Sequence, residues 1–259
     1  MIVLWAVLGV AGLAALTAAF VWFNNSCLKT TCYKIKLEGA DGTRIVHLSD
    51  LHGKSFGRHN GVLVKKVAAL KPDFIAVTGD IIHAYTERNK AVALGLVGTL
   101  KEIAPVVYIS GNHEMRNKGY RFFRKDLKEA GAVVLDDESV TVCGICVTGL
   151  NAASLRNGKI FKLTPESKQI LLAHEPQFIN KYAEAGYKVA LCGHAHGGQW
   201  RIPFTGRGLY APQQGVFPKY TQGVHICGDM QMVVSRGLGN SRFPLRLFNR
   251  PEIVVIDFE

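Results

Sequence analysis

Five short polar clusters follow apolar runs along this chain, and their side chains are of the types that bind metal ions. The clusters are Asp50-Leu51-His52, Gly79-Asp80, Gly111-Asn112-His113-Glu114, His174 and Gly193-His194-Ala195-His196. Carboxylate, imidazole and amide oxygen form mixed nitrogen and oxygen sites for Mn, Fe or Zn. One such cluster alone is weak evidence, so the prediction of a metal centre depends on all five meeting in space.

The spacing within the clusters favours two metal ions. Asp50 and His52 lie two residues apart, so in a turn that leaves a strand both side chains can point into one pocket. The two oxygens of Asp80 suit it to bridge cations about 3.5–4 Å apart. His194 and His196, also two apart, can reach different ions of such a pair. Taken singly, His174 or Asp80 could instead be an ordinary turn residue.

Strand, ligand loop and helix repeat three times in the first half of the chain. Residues 44–49, 74–78 and 106–110 have strand-like patterns, and each runs directly into a cluster. Helical patterns cover residues 61–70, 87–101 and 120–130. This order predicts an α/β fold with the ligands at strand ends.

The second half continues the pattern and then changes. Residues 133–149 are β-rich, and short strands at 169–173 and 188–192 deliver His174 and His194, with a helix from Pro176 between them. Antiparallel strands are predicted for the tail at 224–227, 231–235 and 253–258. We therefore expect two sheets packed face to face with helices outside.

The five blocks together resemble the calcineurin-like metallophosphoesterase superfamily, in the family's order and over nearly the whole chain after its apolar start. The resemblance implies a four-layer α/β/β/α sandwich over residues 43–259. It also implies two coordination shells around two divalent metal ions. The first shell comprises Asp50, His52 and His196, the second comprises Asn112, His174 and His194, and Asp80 bridges them.

The same resemblance implies roles for two residues of the third block. His113 corresponds to the family's histidine that stabilises phosphoryl oxygens or protonates the leaving group. Glu114 corresponds to an acid that orients this imidazole. The implied mechanism is in-line attack on phosphorus by a metal-bridging hydroxide.

Segments of the C-terminal half resemble a bacterial membrane-associated branch of this superfamily. They are residues 193–199, 210–212, 215–220, 235–239 and 250–253. The branch includes YkuE-like and YaeI-like phosphodiesterases and the chlamydial-type UDP-2,3-diacylglucosamine pyrophosphatase. Within this half, Arg236 and Arg242 are candidate contacts for a phosphate or headgroup, with solvated salt bridges as the equal alternative.

The first 23 residues are almost wholly apolar and carry no charge, which suits a bilayer span of about 20 residues. We expect a single transmembrane anchor, followed by a juxtamembrane segment and domain entry at 24–42. A cleaved signal peptide and a buried helix are the alternatives. Lys29, Lys34 and Lys36 follow the span and favour a cytoplasmic catalytic domain, while a translocated domain stays open.

The chain is basic, with 31 Lys and Arg against 20 acidic residues and a net charge of +11. Between Gly198 and Arg250, seven basic residues face only Asp229. Such a surface attracts phosphate in lipid headgroups, nucleic acid or small substrates, although it could be an ordinary solvated face. Because this surface would lie beside a membrane anchor, anionic lipid is the partner we favour among these phosphate-bearing molecules.

Other cysteines and histidines are not expected to bind metal. Cys143 and Cys146 have metal-like spacing, but they lie in a β-like run without a second pair. Cys27 and Cys32, just beyond the span, could be lipidated, paired or free. Structural or surface roles are predicted for four histidines: His47, His59, His83 and His225.

These observations predict a membrane-anchored phosphoesterase with two divalent metal ions, identified only as Mn, Fe or Zn. The substrate would be a phosphodiester or pyrophosphate of a lipid or cell-envelope molecule, or another phosphorylated small molecule. A phosphoprotein phosphatase or a nuclease is the alternative, although the anchor argues against a nucleic-acid partner. An inert scaffold is disfavoured because no expected ligand is missing. The oligomeric state stays open.

Overall fold

The computed structural model describes residues 1–158, 168–240 and 243–259. The helices in these residues are α1 (Ile2–Ser26), α2 (Gly61–Leu70), α3 (Glu87–Leu100), α4 (Asn112–Met115), α5 (Tyr120–Glu129), α6 (Ala152–Arg156) and α7 (Ile179–Glu184). The strands are β1 (Lys29–Ile35), β2 (Arg44–Leu48), β3 (Phe74–Val77), β4 (Val106–Tyr108), β5 (Ala132–Val134), β6 (Glu138–Val142), β7 (Ile145–Gly149), β8 (Gln169–Leu172), β9 (Val189–Cys192), β10 (Tyr210–Ala211), β11 (Gly215–Val216), β12 (Gly223–Cys227), β13 (Met230–Val234) and β14 (Glu252–Phe258).

Helix α1 stands apart from the protein core. It has 25 residues and a mean hydropathy of 2.3 in its most apolar stretch, none of which is buried. Its length and composition are sufficient to cross a membrane. Among the described residues, the contacts of α1 with the rest of the chain are at its C-terminal end, where Asn24 is buried.

The first sheet has six strands in the order β1-β14-β2-β3-β4-β5. Neighbouring strands are parallel except for β14 and β2. Strands β2, β3 and β4 are the three predicted before ligand clusters. Residues 29–35, which lie within the segment expected to be the juxtamembrane region and domain entry, form the edge strand β1, so the sheet begins directly after α1.

The second sheet also has six strands, in the order β12-β13-β9-β8-β7-β6. Strands β12 and β13 form the predicted antiparallel pair. The third strand predicted for the tail is present as β14, but it joins the first sheet, where it is antiparallel to β2 and parallel to β1. Nearly every residue of β14 is buried, which is typical of an interior strand covered on both faces.

Three apolar clusters separate four layers. One lies between the sheets, where Ile45 of β2 meets Leu191 of β9. A second packs α2, α3 and α5 on the outer face of the first sheet. In the third, α6 and α7 cover the outer face of the second sheet. Neighbouring residues such as Ile45 and Val46 enter different clusters because a strand alternates its faces. The predicted α/β/β/α sandwich is therefore confirmed.

Candidate metal centre

The loops that leave the strands hold one another through backbone hydrogen bonds. Asp50 N–H donates to the Gly79 carbonyl at 3.0 Å, and His52 N–H donates to the Asp80 carbonyl at 2.9 Å. Across the two sheets, the backbone N–H of His194 donates to both Asp50 carboxylate oxygens, at 3.0 and 3.1 Å. These hydrogen bonds join the ends of the two sheets.

Several of these residues have a left-handed backbone that non-glycine residues seldom adopt. The φ angles are 52° at Asp50, 51° at His52, 52° at Asp80, 69° at His194 and 47° at His196. Such backbone strain concentrates at functional sites, where the surrounding structure must hold it. Here it turns the side chains toward a common cavity instead of continuing the strands.

Two motif glycines allow this close approach. A Cβ at Gly193 would collide with the Ser49 hydroxyl and with the Asp50 carboxylate. One at Gly111 would collide with the Asp80 side chain. Glycine is therefore required beside the carboxylates for a steric reason.

One group of ligand atoms comprises those of Asp50, His52 and His196, which all lie within 4.8 Å of one another. The Nε2 atoms of His52 and His196 are 3.1 Å apart. His196 Nε2 lies 3.4 Å from Asp50 Oδ1, and His52 Nε2 lies 3.9 Å from the same oxygen. Two imidazoles and a carboxylate thus face one small volume.

A second group contains Asp80, His174 and His194, again with ligand atoms within 4.8 Å. His174 Nε2 lies 3.2 Å from Asp80 Oδ2 and 3.1 Å from His194 Nδ1. The same Asp80 oxygen lies 3.8 Å from His52 Nε2 in the first group. Asp80 is therefore shared between the two groups.

Asn112 adds an amide oxygen to this arrangement. Its side chain is buried and lines the cavity, yet Oδ1 has no hydrogen-bond partner among the described residues. A buried acceptor without a donor is costly and rare in folded proteins. A cation would satisfy it, so the donor set of imidazole, carboxylate and amide oxygen fits two divalent ions.

Backbone carbonyls fix the orientation of two imidazoles. His174 Nδ1 lies 2.7 Å from the Thr78 carbonyl oxygen, which can only accept, so this nitrogen donates. His113 Nδ1 donates in the same way to the His83 carbonyl at 3.1 Å. In both rings the other nitrogen, Nε2, then faces the ligand cluster. Histidine ligands of metal sites are commonly oriented in this way, by a hydrogen bond from the ring nitrogen that does not bind the metal.

Electrostatics keep most of these imidazoles neutral. Burial lowers the pKa of His52 to about 3 and that of His194 to about 4. Burial also acts to lower the pKa of His174, but the Asp80 carboxylate outweighs it and raises this pKa to about 10. Conversely, burial acts to raise the pKa of Asp80, while His174 holds it well below its usual range. A metal ion must displace the proton of this pair.

The expectation that Glu114 orients His113 is wrong. The Glu114 carboxylate is fully buried and accepts backbone N–H bonds from Asp80 at 2.8 Å, Gly111 at 2.9 Å and Ile82 at 3.1 Å. These N–H groups belong to loops that would otherwise leave donors unpaired. Glu114 therefore fixes the loops around Asp80, and the His83 carbonyl orients His113.

Four of the predicted ligands line a cavity of about 340 Å³ together with His113: Asp80, Asn112, His194 and His196. Six further residues line it that were not predicted as site residues: His83, Arg116, Tyr210, Pro212, Gln213 and Phe243. The His83 ring lies 4.9 Å from that of His113, and the Gln213 amide contacts His194 Nε2. The sequence pointed toward the site for three of them. His83 lies three residues after Asp80, and Tyr210 and Pro212 belong to the segment 210–212 that resembles the membrane-associated branch.

Arg236, one of the two predicted arginines, does not line this cavity. The Arg236 guanidinium turns to Glu252, with Nε 3.5 Å from Oε1, because that buried carboxylate needs a cation. Arg242 lies outside the described residues. Arg246, which was not predicted, is fully buried and donates to the carbonyls of Gly239 and Arg236. Its Nη2 lies 3.5 Å from Nδ1 of His196.

Comparison with known proteins agrees with this geometry. Residues 43–198 match the family model described as calcineurin-like phosphoesterase. The metallophosphoesterase YkuE of Bacillus subtilis (strain 168) is 30% identical, covering 88% of this chain and 84% of the relative. The phosphodiesterase YaeI of Escherichia coli (strain K12) is 28% identical, covering 91% and 88%. This chain therefore belongs to the calcineurin-like phosphoesterase family, in the branch of YkuE and YaeI, and is a metal-dependent phosphoesterase.

Proposed function

We propose that this protein is a membrane-anchored enzyme that hydrolyses a phosphodiester or pyrophosphate bond of a lipid or cell-envelope substrate with two divalent metal ions. The observation that carries the proposal is the position of Asp80 Oδ2, 3.2 Å from His174 Nε2 in one ligand group and 3.8 Å from His52 Nε2 in the other. A carboxylate oxygen between two histidine groups suits a pair of cations.

Two bound cations would supply Lewis acidity, polarising the phosphoryl oxygens and lowering the pKa of a water molecule. Asp80 is held for this task because its Oδ1 accepts the His113 N–H at 2.8 Å, which leaves Oδ2 for the clusters. His113 presents Nε2 to the cavity, 4.0 Å from Asp80 Oδ2. Because Nδ1 keeps its hydrogen bond to the His83 carbonyl, the ring would act as an imidazolium, passing its Nε2 proton to the departing oxygen and becoming neutral. The exposed Arg116 at the cavity supplies a cation for a second phosphate or headgroup.

The anchor is proposed to stay attached because its end is part of the folded domain. The buried Asn24 accepts the Asn249 N–H at 3.2 Å. The Asn25 amide donates to the Arg246 carbonyl at 3.1 Å and accepts the Arg246 N–H at 2.9 Å. Cleavage of α1 would remove these partners. This argument favours a single-pass membrane protein over a processed signal peptide.

The test is hydrolysis of bis(p-nitrophenyl) phosphate by the full-length, manganese-loaded protein in detergent. We expect Asp80→Asn and His194→Ala to abolish turnover. Asp229→Asn is the matched control, since Asp229 is exposed and pairs only with Lys188 among the described residues. Full activity in a folded, metal-loaded Asp80→Asn variant would exclude the proposed centre.

A second experiment addresses the substrate class. The same preparation is given lipid-linked pyrophosphates, phospholipid diesters, phosphopeptides and oligonucleotides, with Mn, Fe and Zn compared as the metal. We expect the lipid substrates to be turned over fastest. Preference for phosphopeptides or oligonucleotides would contradict the proposed substrate class and support a phosphoprotein phosphatase or a nuclease.

A further inference from the structure

We propose that an apolar surface beside the cavity seats the catalytic domain on the lipid bilayer. This surface, called the apolar rim, consists of Trp200, Phe204, Val216, Phe217, Phe243 and Phe248. The inference rests on the proposed membrane anchoring by α1. It goes beyond the anchor because it assigns the bilayer as a partner of the folded domain itself.

The rim is more exposed than large apolar side chains usually are. Phe204 is fully exposed, while Val216 is 65% and Phe217 59% exposed. Phe248 and Phe243 are each exposed by about half. Single exposed apolar residues are ordinary, but neighbouring ones of this size mark an interaction surface.

Contacts join the rim continuously to the end of α1. The Phe248 ring packs on Phe20 of α1, with ring centroids 5.0 Å apart. Its neighbour Leu247 pairs with the backbone of Trp200, whose ring lies 5.6 Å from that of Phe243. The rim thus extends from the anchor helix to a residue that lines the cavity.

A second set of backbone contacts brings in the ribbon of β10 and β11. Leu209 N–H donates to the Trp200 carbonyl at 2.7 Å, and Phe217 N–H donates to the Leu209 carbonyl at 2.9 Å. The exposed Phe217 and its neighbour Val216 are therefore on a segment adjacent to Trp200. Phe204 lies in the turn that follows Trp200, between Ile202 and Arg207, where the Ile202 N–H donates to the Arg207 carbonyl at 3.0 Å.

The position of Phe20 sets the depth of the rim relative to the bilayer. A helix of 25 residues is about 37 Å long, slightly more than the hydrocarbon thickness of about 30 Å. Phe20 lies near the C-terminal end of the apolar run, so Phe248 meets α1 where the span leaves the hydrocarbon. This contact places the start of the rim at the membrane interface and favours lipid over a second protein copy as the occupant.

The charges around the rim match an anionic membrane surface. Arg207 and Lys219 are exposed and lie three residues after Phe204 and two residues after Phe217 in the chain. Aromatic side chains with flanking basic ones are the composition that binds the interface of anionic bilayers. Because Phe243 and Tyr210 also line the cavity, it would open at headgroup level. A headgroup phosphate could then reach the site without its acyl chains leaving the bilayer.

The test uses an added tryptophan as a probe of membrane depth. Phe204→Trp is made in the full-length protein, with Phe122→Trp as the matched control. Phe122 is 58% exposed and lies on α5, which packs on β5, the edge strand of the first sheet opposite to β1. Both variants are reconstituted into vesicles of phosphatidylcholine with brominated acyl chains and phosphatidylglycerol. The emission of the native protein is subtracted.

We expect bromine to quench roughly half or more of the added emission of Phe204→Trp and to leave that of Phe122→Trp unchanged. Equal quenching of the two variants, or none at Phe204→Trp, would overturn the inference. Quenching requires no turnover, so this result is independent of whether the proposed substrate is correct. A Phe204→Ser/Phe217→Ser variant should then lose hydrolysis of vesicle lipid while retaining hydrolysis of bis(p-nitrophenyl) phosphate.

Discussion

Replacing Asn25 with alanine removes both hydrogen bonds by which the end of α1 holds the backbone of Arg246. The two bonds measure 2.9 and 3.1 Å. A hydrogen bond contributes about 1 kcal/mol net, so the free energy of unfolding should fall by about 2 kcal/mol. For a domain of this size the melting temperature should fall by about 4–8 °C.

The effect should also reach the metal site, because Arg246 Nη2 lies 3.5 Å from Nδ1 of His196. The assay is thermal unfolding of the full-length protein in nanodiscs, together with manganese titration. Thr17→Ala is the control, since Thr17 Oγ1 donates within α1 to the Leu13 carbonyl at 2.8 Å. If Asn25→Ala melts at the same temperature as Thr17→Ala and binds manganese equally well, the end of α1 does not support the site.

Three further predictions follow from single groups. Gly193→Ala should abolish metal binding measured by mass spectrometry, because its methyl group collides with the Asp50 carboxylate, whereas Gly95→Ala, in open space on α3, should not. Since the pKa of His174 is raised to about 10, metal binding at pH 7 should release a proton, detected by calorimetry in buffers of different ionisation enthalpy. Burial lowers the pKa of Lys54 from 10.5 to about 7, so the unfolded state binds more protons between these values. Denaturant unfolding should then show stability rising with pH across that window, by up to about 1.4 kcal/mol per unit, and Lys54→Met should flatten this rise.

Sequence reasoning succeeded where one short segment specifies both the strand and its end. The apolar run before Asp50 predicts β2, and the polar residues that follow predict a turn at the edge of the sheet. Parallel neighbours then bring Asp80 and Asn112 to the same edge, so a local pattern is sufficient to propose a shared site.

Sequence reasoning failed where a side chain binds backbone atoms, or where the partner of a residue or strand is distant in the sequence. The Glu114 carboxylate binds backbone N–H groups and Arg246 binds backbone carbonyls, and neither kind of partner has a residue-type signature. The pairing of β14 with β1 joins the two ends of the domain, which no local periodicity encodes. Glu252 is the first residue of β14, so its ion pair with Arg236 depends on the same long-range pairing.

The most direct test of the central claim is anomalous diffraction from crystals of the full-length protein grown with manganese. The account predicts two anomalous peaks on either side of the Asp80 carboxylate. One should lie beside His52 and His196, and the other beside His174 and His194. A single peak, or manganese bound away from Asp80, would contradict a shared two-metal centre.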